Sequence, residues 1–203
     1  MNIFLLVLAL TSPSIEWADK FEAASQTQLA ARADQSAQPI VQSFTLDNGS
    51  ILHAHQTSLG VQSSESDQTL GAALKTHAPS WALWSAQTGY EACARVCKTS
   101  DQRYTWTVVT AQAALFCATS ATQCPAGSTD TGASASVHIH PRGPVSLPTP
   151  TDLLFDPTLR PDETIWVSPD AFSETDLLYN DVYLITPEAR VWHHFEKDVY
   201  EID

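Results

Sequence analysis

The chain has 203 residues, 43% of them hydrophobic, enough to build one sizeable core with an N-terminal extension. Ten Lys and Arg against 23 Asp and Glu leave a formal charge of −13, which repels phosphate backbones and anionic lipid. Nucleic-acid binding is therefore disfavoured.

The first ten residues, MNIFLLVLAL, form an apolar run followed by Thr11-Ser12-Pro13-Ser14. The run is far shorter than the roughly 20 residues of a membrane span. It resembles the h-region of a secretory signal peptide, although no Lys or Arg precedes Lys20, and cleavage is expected after a small residue between Ser12 and Ala18. The other reading is an ordinary buried strand. The division expected from the sequence is a signal peptide over 1–18, an extension over 19–66 and a main domain over 67–203.

Residues 15–41 are rich in Ala and Gln, with Trp17, Phe21, Ala24, Leu29 and Ala30 at loosely helical intervals, which predicts a helix ending before Pro39. Residues 44–52 read as a hairpin, because Asn48-Gly49 supplies the positive φ angles of a tight turn. After a polar connector over 59–68, Asp67 is the expected cap of a helix over 69–76 that turns Leu70, Ala73 and Leu74 inward. Residues 91–97 and 104–110 read as a hairpin around Lys98-Thr99-Ser100-Asp101, with β-branched and aromatic residues in its second arm. Residues 118–135 read as a loop and 137–140 as a short strand. Residues 141–171 hold seven prolines and resist regular structure; so long a connection inside a compact domain is usually functional. A brief helix is expected from Ser173, then a last hairpin of 182–186 and 190–195 across Pro187-Glu188-Ala189. The pattern is mixed α/β, without an internal repeat.

Four cysteines, an even number, fit an oxidising compartment. Cys93 and Cys97 share a strand face at too great a separation for a regular bond to each other, whereas Cys117 and Cys124 flank a short segment that a bond would close. Three pairings are open. A four-cysteine zinc site is the competing reading, but the spacings Cys-x3-Cys and Cys-x6-Cys lack the tight knuckle of such sites.

The most informative stretch is Ser136-Val137-His138-Ile139-His140-Pro141 with Phe172-Ser173-Glu174-Thr175-Asp176 downstream. Histidines two apart on a strand point to one face, about 6–7 Å apart along the backbone, and both imidazoles can close on one ion at about 2.0–2.1 Å. Asp176 is the candidate third ligand, leaving a fourth position for water. Each part also has a structural reading: strand histidines are often merely satisfied polar residues, and Ser173-x-x-Asp176 is a capping-box pattern. His53-Ala54-His55 repeats the spacing without an acidic partner motif, and His193-His194, adjacent on a strand, face opposite ways.

Glu91 on an early strand, His-x-His-Pro ending a later one and Ser-x-x-Asp opening a helix follow the order of the JAMM motif. Over roughly residues 67–196 the chain resembles the JAB/MPN-type zinc metalloprotease superfamily, and more closely a branch of bacterial JAB-like domains. Pro79-Ser80, Gly89-Tyr90-Glu91-Ala92-Cys93, Tyr183-Leu184-Ile185-Thr186-Pro187 and Val191 also match that branch. The resemblance implies a central mixed β-sheet flanked by helices, with zinc (Zn2+) held by His138, His140 and Asp176. It implies Glu91 as the general base that deprotonates the attacking water and later protonates the leaving amine, and Ser173 as a hydrogen-bond donor to the tetrahedral oxyanion. The expected function is an exported hydrolase, periplasmic or secreted in a bacterium, that cuts an amide, peptide or isopeptide bond in a peptide, peptidoglycan or protein conjugate. The alternatives are a catalytically inert JAB-like binding module and a secreted toxin or effector domain.

Overall fold

The computed structural model describes residues 40–45, 51–119, 123–131, 135–143 and 147–203. The expected signal peptide, the helix before Pro39 and the Asn48-Gly49 turn lie outside these residues. The arms of the first hairpin are present: β1 (Ile40–Thr45) pairs antiparallel with β2 (Ile51–Ser63), Thr45 opposite Ile51. The second half of β2 pairs with β5 (Tyr104–Thr110) past a bulge between Ser58 and Gly60. Gly60 takes a φ of 118° there, a conformation that favours glycine.

β3 (Ala92–Arg95) and β4 (Cys97–Thr99) are halves of one strand broken at Val96, whose amide donates to the Ala135 carbonyl. β5 pairs with both on one side. On the other side β6 (Ser128–Asp130) pairs with β4, and β7 (Ser136–Ile139) with β3. β7 then pairs in parallel with β8 (Val182–Ile185), which is followed antiparallel by β9 (Val191–Phe195) and β10 (Asp198–Glu201). The sheet order is β1-β2-β5-β3-β7-β8-β9-β10, with β4 bridging β5 and β6. The fold is mixed α/β and dominated by its sheet. Parallel neighbours cannot be joined by a tight turn, so the long proline-rich stretch is the crossover from β7 to β8.

Helix α1 (Leu70–Thr88) packs across β7, β8 and β9. Leu70, Ala73, Leu74, Ala78, Trp81 and Ala82 are buried at helical spacing. They meet Ala92, Ala94, Val137, Ile139, Tyr183, Ile185 and Val191 of the sheet in one apolar cluster. Burial of each larger side chain there contributes about 1.5–3 kcal/mol. The indole N–H groups of Trp81 and Trp106 both donate to Gln62 Oε1, which removes the penalty of burying them unpaired.

Several elements differ from expectation. The cap of α1 is Thr69, whose hydroxyl accepts from the Ala72 amide, while Asp67 sits two residues earlier, in a turn, at a φ of 65°. The helix runs on to Thr88, through Pro79, because its apolar stripe continues, and ends at Gly89 in the left-handed region. The loop over 118–135 contains β6, which extends the ladder of β4. The proline-rich stretch contains α2 (Pro150–Phe155), opened by a capping box between Thr149 and Asp152 with proline in its first turn. The helix expected from Ser173 is a 3₁₀ turn (Asp176–Leu178).

Disulfides Cys93–Cys117 and Cys97–Cys124 tie β3 and β4 to the segment between β5 and β6. They close loops with sequence separations of 24 and 27 residues, each worth about 3.5 kcal/mol in the chain-entropy account. Two disulfides point to an oxidising, non-cytoplasmic compartment. Among the described residues, no helix is long and apolar enough to cross a membrane.

Candidate metal site

The pleat of β7 places Val137 and Ile139 in the core under α1, both fully buried, and turns Ser136, His138 and His140 to the opposite face. On β3 the same alternation turns Cys93 and Arg95 to that face, with Glu91 just before the strand. The register sets Cys93 opposite His138 and Arg95 opposite Ser136. These residues floor a cleft of about 1120 Å³ whose walls come from 115–119, 166–168 and 171–176.

The crossover returns Asp176 to the two histidines. The Nε2 atoms of His138 and His140 are 3.1 Å apart, and Asp176 Oδ2 lies 3.4 Å from the first and 3.6 Å from the second. Tetrahedral ligands at 2.0–2.1 Å from an ion stand about 3.3–3.4 Å from one another. The triangle therefore has the size that one divalent cation requires, and all three residues line the cleft. Among the described residues, these three form a group whose ligand atoms all lie within 4.8 Å of one another.

The imidazole of His140 is oriented by its other nitrogen. Nδ1 lies 3.0 Å from the Ser168 carbonyl, which only accepts, so Nδ1 carries the proton and Nε2 presents its lone pair to the site. The Ser173 amide and hydroxyl donate to Asp176 Oδ2 at 2.8 and 2.7 Å, and the Asp176 amide donates to Ser173 Oγ at 3.2 Å. The capping box and the candidate ligand set thus share Asp176. Phe172 packs between the rings of His138 and His194.

Glu91 Oε1 lies 3.9 Å from His140 Nε2. The Glu91 backbone is pinned by the Thr110 hydroxyl donating to its carbonyl and by its own amide donating to Ala113. Burial pushes its carboxyl up to about 8, partly opposed by His140 and reinforced by Asp176. Burial lowers His138, with the nearby Asp176 opposing. For His140 burial also acts downward, but Asp176, Glu91 and the Ser168 carbonyl together raise it. Burial would raise Asp176, yet the neighbouring His138 and His140 imidazoles and the Ser173 hydroxyl hold it well below the usual carboxylate range.

All five residues singled out in the sequence meet here. Three other histidines do not: His53 and His55 are exposed on β2, and His193 faces the other side of the sheet, between Asp181 and Tyr200, while His194 reaches the site only through its contact with Phe172. Sequence reasoning missed the Ser168 carbonyl, since a backbone acceptor has no residue signature. It also missed the Cys93–Cys117 disulfide on the cleft floor and Trp166 and Tyr179 on its rim; an aromatic within a proline-rich crossover was the available clue. Searches against family models, curated proteins and solved structures find no match for this chain.

Proposed function

We propose that the chain is an exported zinc-dependent hydrolase of JAB type that cuts an amide, peptide or isopeptide bond. The observation that carries this reading is the 3.1, 3.4 and 3.6 Å triangle of His138, His140 and Asp176, with a buried carboxylate beside it and a cleft above. When bound, zinc polarises a carbonyl and lowers the pKa of water towards 7. His138 and His140 bind through neutral nitrogens, and the Ser168 carbonyl keeps the His140 proton off the ligating atom.

Glu91 takes the proton of the attacking water and returns it to the leaving amine. Its burial beside the site and its position 3.9 Å from His140 Nε2 fit a group that must both accept and release a proton. Ser173 holds Asp176 in place; its donation to a developing oxyanion requires the hydroxyl to swing away from Oδ2. The two disulfides fit a periplasmic or secreted setting, in which peptidoglycan crosslinks and protein conjugates are the substrates to try first.

Metal analysis tests the reading. Purified protein should carry near-stoichiometric zinc that is lost in both His138→Ala and Asp176→Ala. Glu91→Gln should keep zinc and lose cleavage of peptidoglycan fragments or ubiquitin-like tails. Metal-free wild-type protein at neutral pH, after exposure to zinc, would overturn the proposal.

A further inference from the structure

The cleft has two chemically different ends. One holds Glu91, His138, His140 and Asp176. The other holds hydrogen-bond donors: Arg95, Ser136 and Asn180. Arg95 is the one Lys or Arg that lines the cleft among the described residues, in a chain whose 23 acids outnumber 10 such cations. An acidic cleft would otherwise repel any substrate carboxylate.

The donors are held on rigid elements. Arg95 and Ser136 face each other across the β3–β7 ladder, and the Ser136 amide donates to the Asp181 carbonyl at 3.2 Å, which brings Asn180 alongside. The guanidinium donates from Nη1 to Asp130 at 3.2 Å, with the Arg95 side chain 29% exposed. A half-exposed pair of this kind contributes little to stability, and it engages one of five N–H donors. Arg95 lies two residues along β3 from Cys93, the partner of His138, so about 7 Å separates the two rows. Two residues of extended peptide span that distance.

We propose that Arg95, Ser136 and Asn180 form a carboxylate-binding subsite, which takes a C-terminal or side-chain carboxylate of a peptide about two residues from the bond cut at His138, His140 and Asp176. The place of the cut rests on the hydrolase reading; capture of the carboxylate does not. Arg95 supplies the charge, and the Ser136 hydroxyl and Asn180 amide supply directed donors to the same oxygens.

Equilibrium dialysis tests this with three mixtures of N-acetylated tetrapeptides: free acids, C-terminal amides, and amides carrying glutamate at the third or fourth position. The full chain is used with Glu91→Gln, so that nothing is cut. Free acids should be retained about tenfold or more over plain amides, and adding Arg95→Gln should bring the ratio to one. Equal retention of the glutamate amides assigns the subsite to side-chain carboxylates; retention of free acids alone assigns it to chain termini. Should Arg95→Gln fail to fold, Arg95→Lys and Ser136→Ala should each lower the ratio at least about threefold. A ratio near one without these changes, a ratio they leave intact, or no retention of any free acid overturns the subsite. Arg95-dependent retention by a chain that binds no zinc upholds the subsite and overturns the hydrolase.

Discussion

Glu91→Gln tests the electrostatics of the site without reference to any substrate. In metal-free protein the folded state holds the Glu91 proton up to about 8, whereas the unfolded chain releases it near 4.5. Between these values the folded state binds more protons than the unfolded one, so stability falls as pH rises. The contribution of Glu91 is complete below about 4.5 and gone above about 8. At about 1.4 kcal/mol per pH unit the ceiling on the loss is about 5 kcal/mol. His138, His140 and Asp176 titrate as well, so the informative quantity is the difference between wild type and Glu91→Gln, whose amide is neutral throughout. Urea melts from pH 4 to 9 in chelator measure it. The advantage of wild type over the variant should shrink steadily through the window and then level off. Added zinc should flatten the wild-type slope, because a cation beside Glu91 favours its ionised form. Parallel profiles for the two chelated proteins from pH 5 to 8 would refute the account of Glu91 as a buried, proton-retaining carboxyl.

Two further substitutions probe how the crossover is held. A Cβ on Gly143 would lie 2.7 Å from the Val167 carbonyl oxygen, next to the Ser168 carbonyl that orients His140. Gly143→Ala should lower zinc affinity about tenfold or more in chelator competition, at a stability cost of about 1–3 kcal/mol; unchanged affinity would show that Ser168 does not set the imidazole. Asp152 is buried in α2 and accepts from the Ala114, Leu115 and Thr149 amides. Asp152→Ala leaves those donors unmet and should cost about 3–5 kcal/mol in urea unfolding, with Asp152→Asn in between; a loss below about 1 kcal/mol would mean that α2 does not anchor the crossover.

The parts of the fold legible in the sequence are those governed by near neighbours. The arms of the first hairpin, β5, β7 and the last hairpin follow from alternation and turn residues, and the pleat alone predicts that His138 and His140 share a face. The misses have local competitors. Thr69 displaced Asp67 as cap because the next amides lie within reach of its hydroxyl. α2 hid among prolines because Pro150 suits a first helical turn, while the acceptor role of Asp152 towards residues 114 and 115 is a contact across the fold. β6 and β10 are short strands whose pairing partners, rather than their own residues, make them strands. The cysteine pairing was open for the same reason.

By itself the sequence determined the chemistry on offer: two imidazoles on one face, a carboxylate in a Ser-x-x-Asp box, a glutamate on an earlier strand and four cysteines. Whether those groups meet was decided by the tertiary structure. Parallel pairing of β7 with β8 requires a long crossover, and the Asp152 carboxylate and the Ser168 carbonyl pin that crossover at two points along its course. Asp176 thereby comes within 3.6 Å of both histidines. Such pinning joins residues far apart in the chain and runs largely through backbone groups, which every residue carries and no residue type reveals.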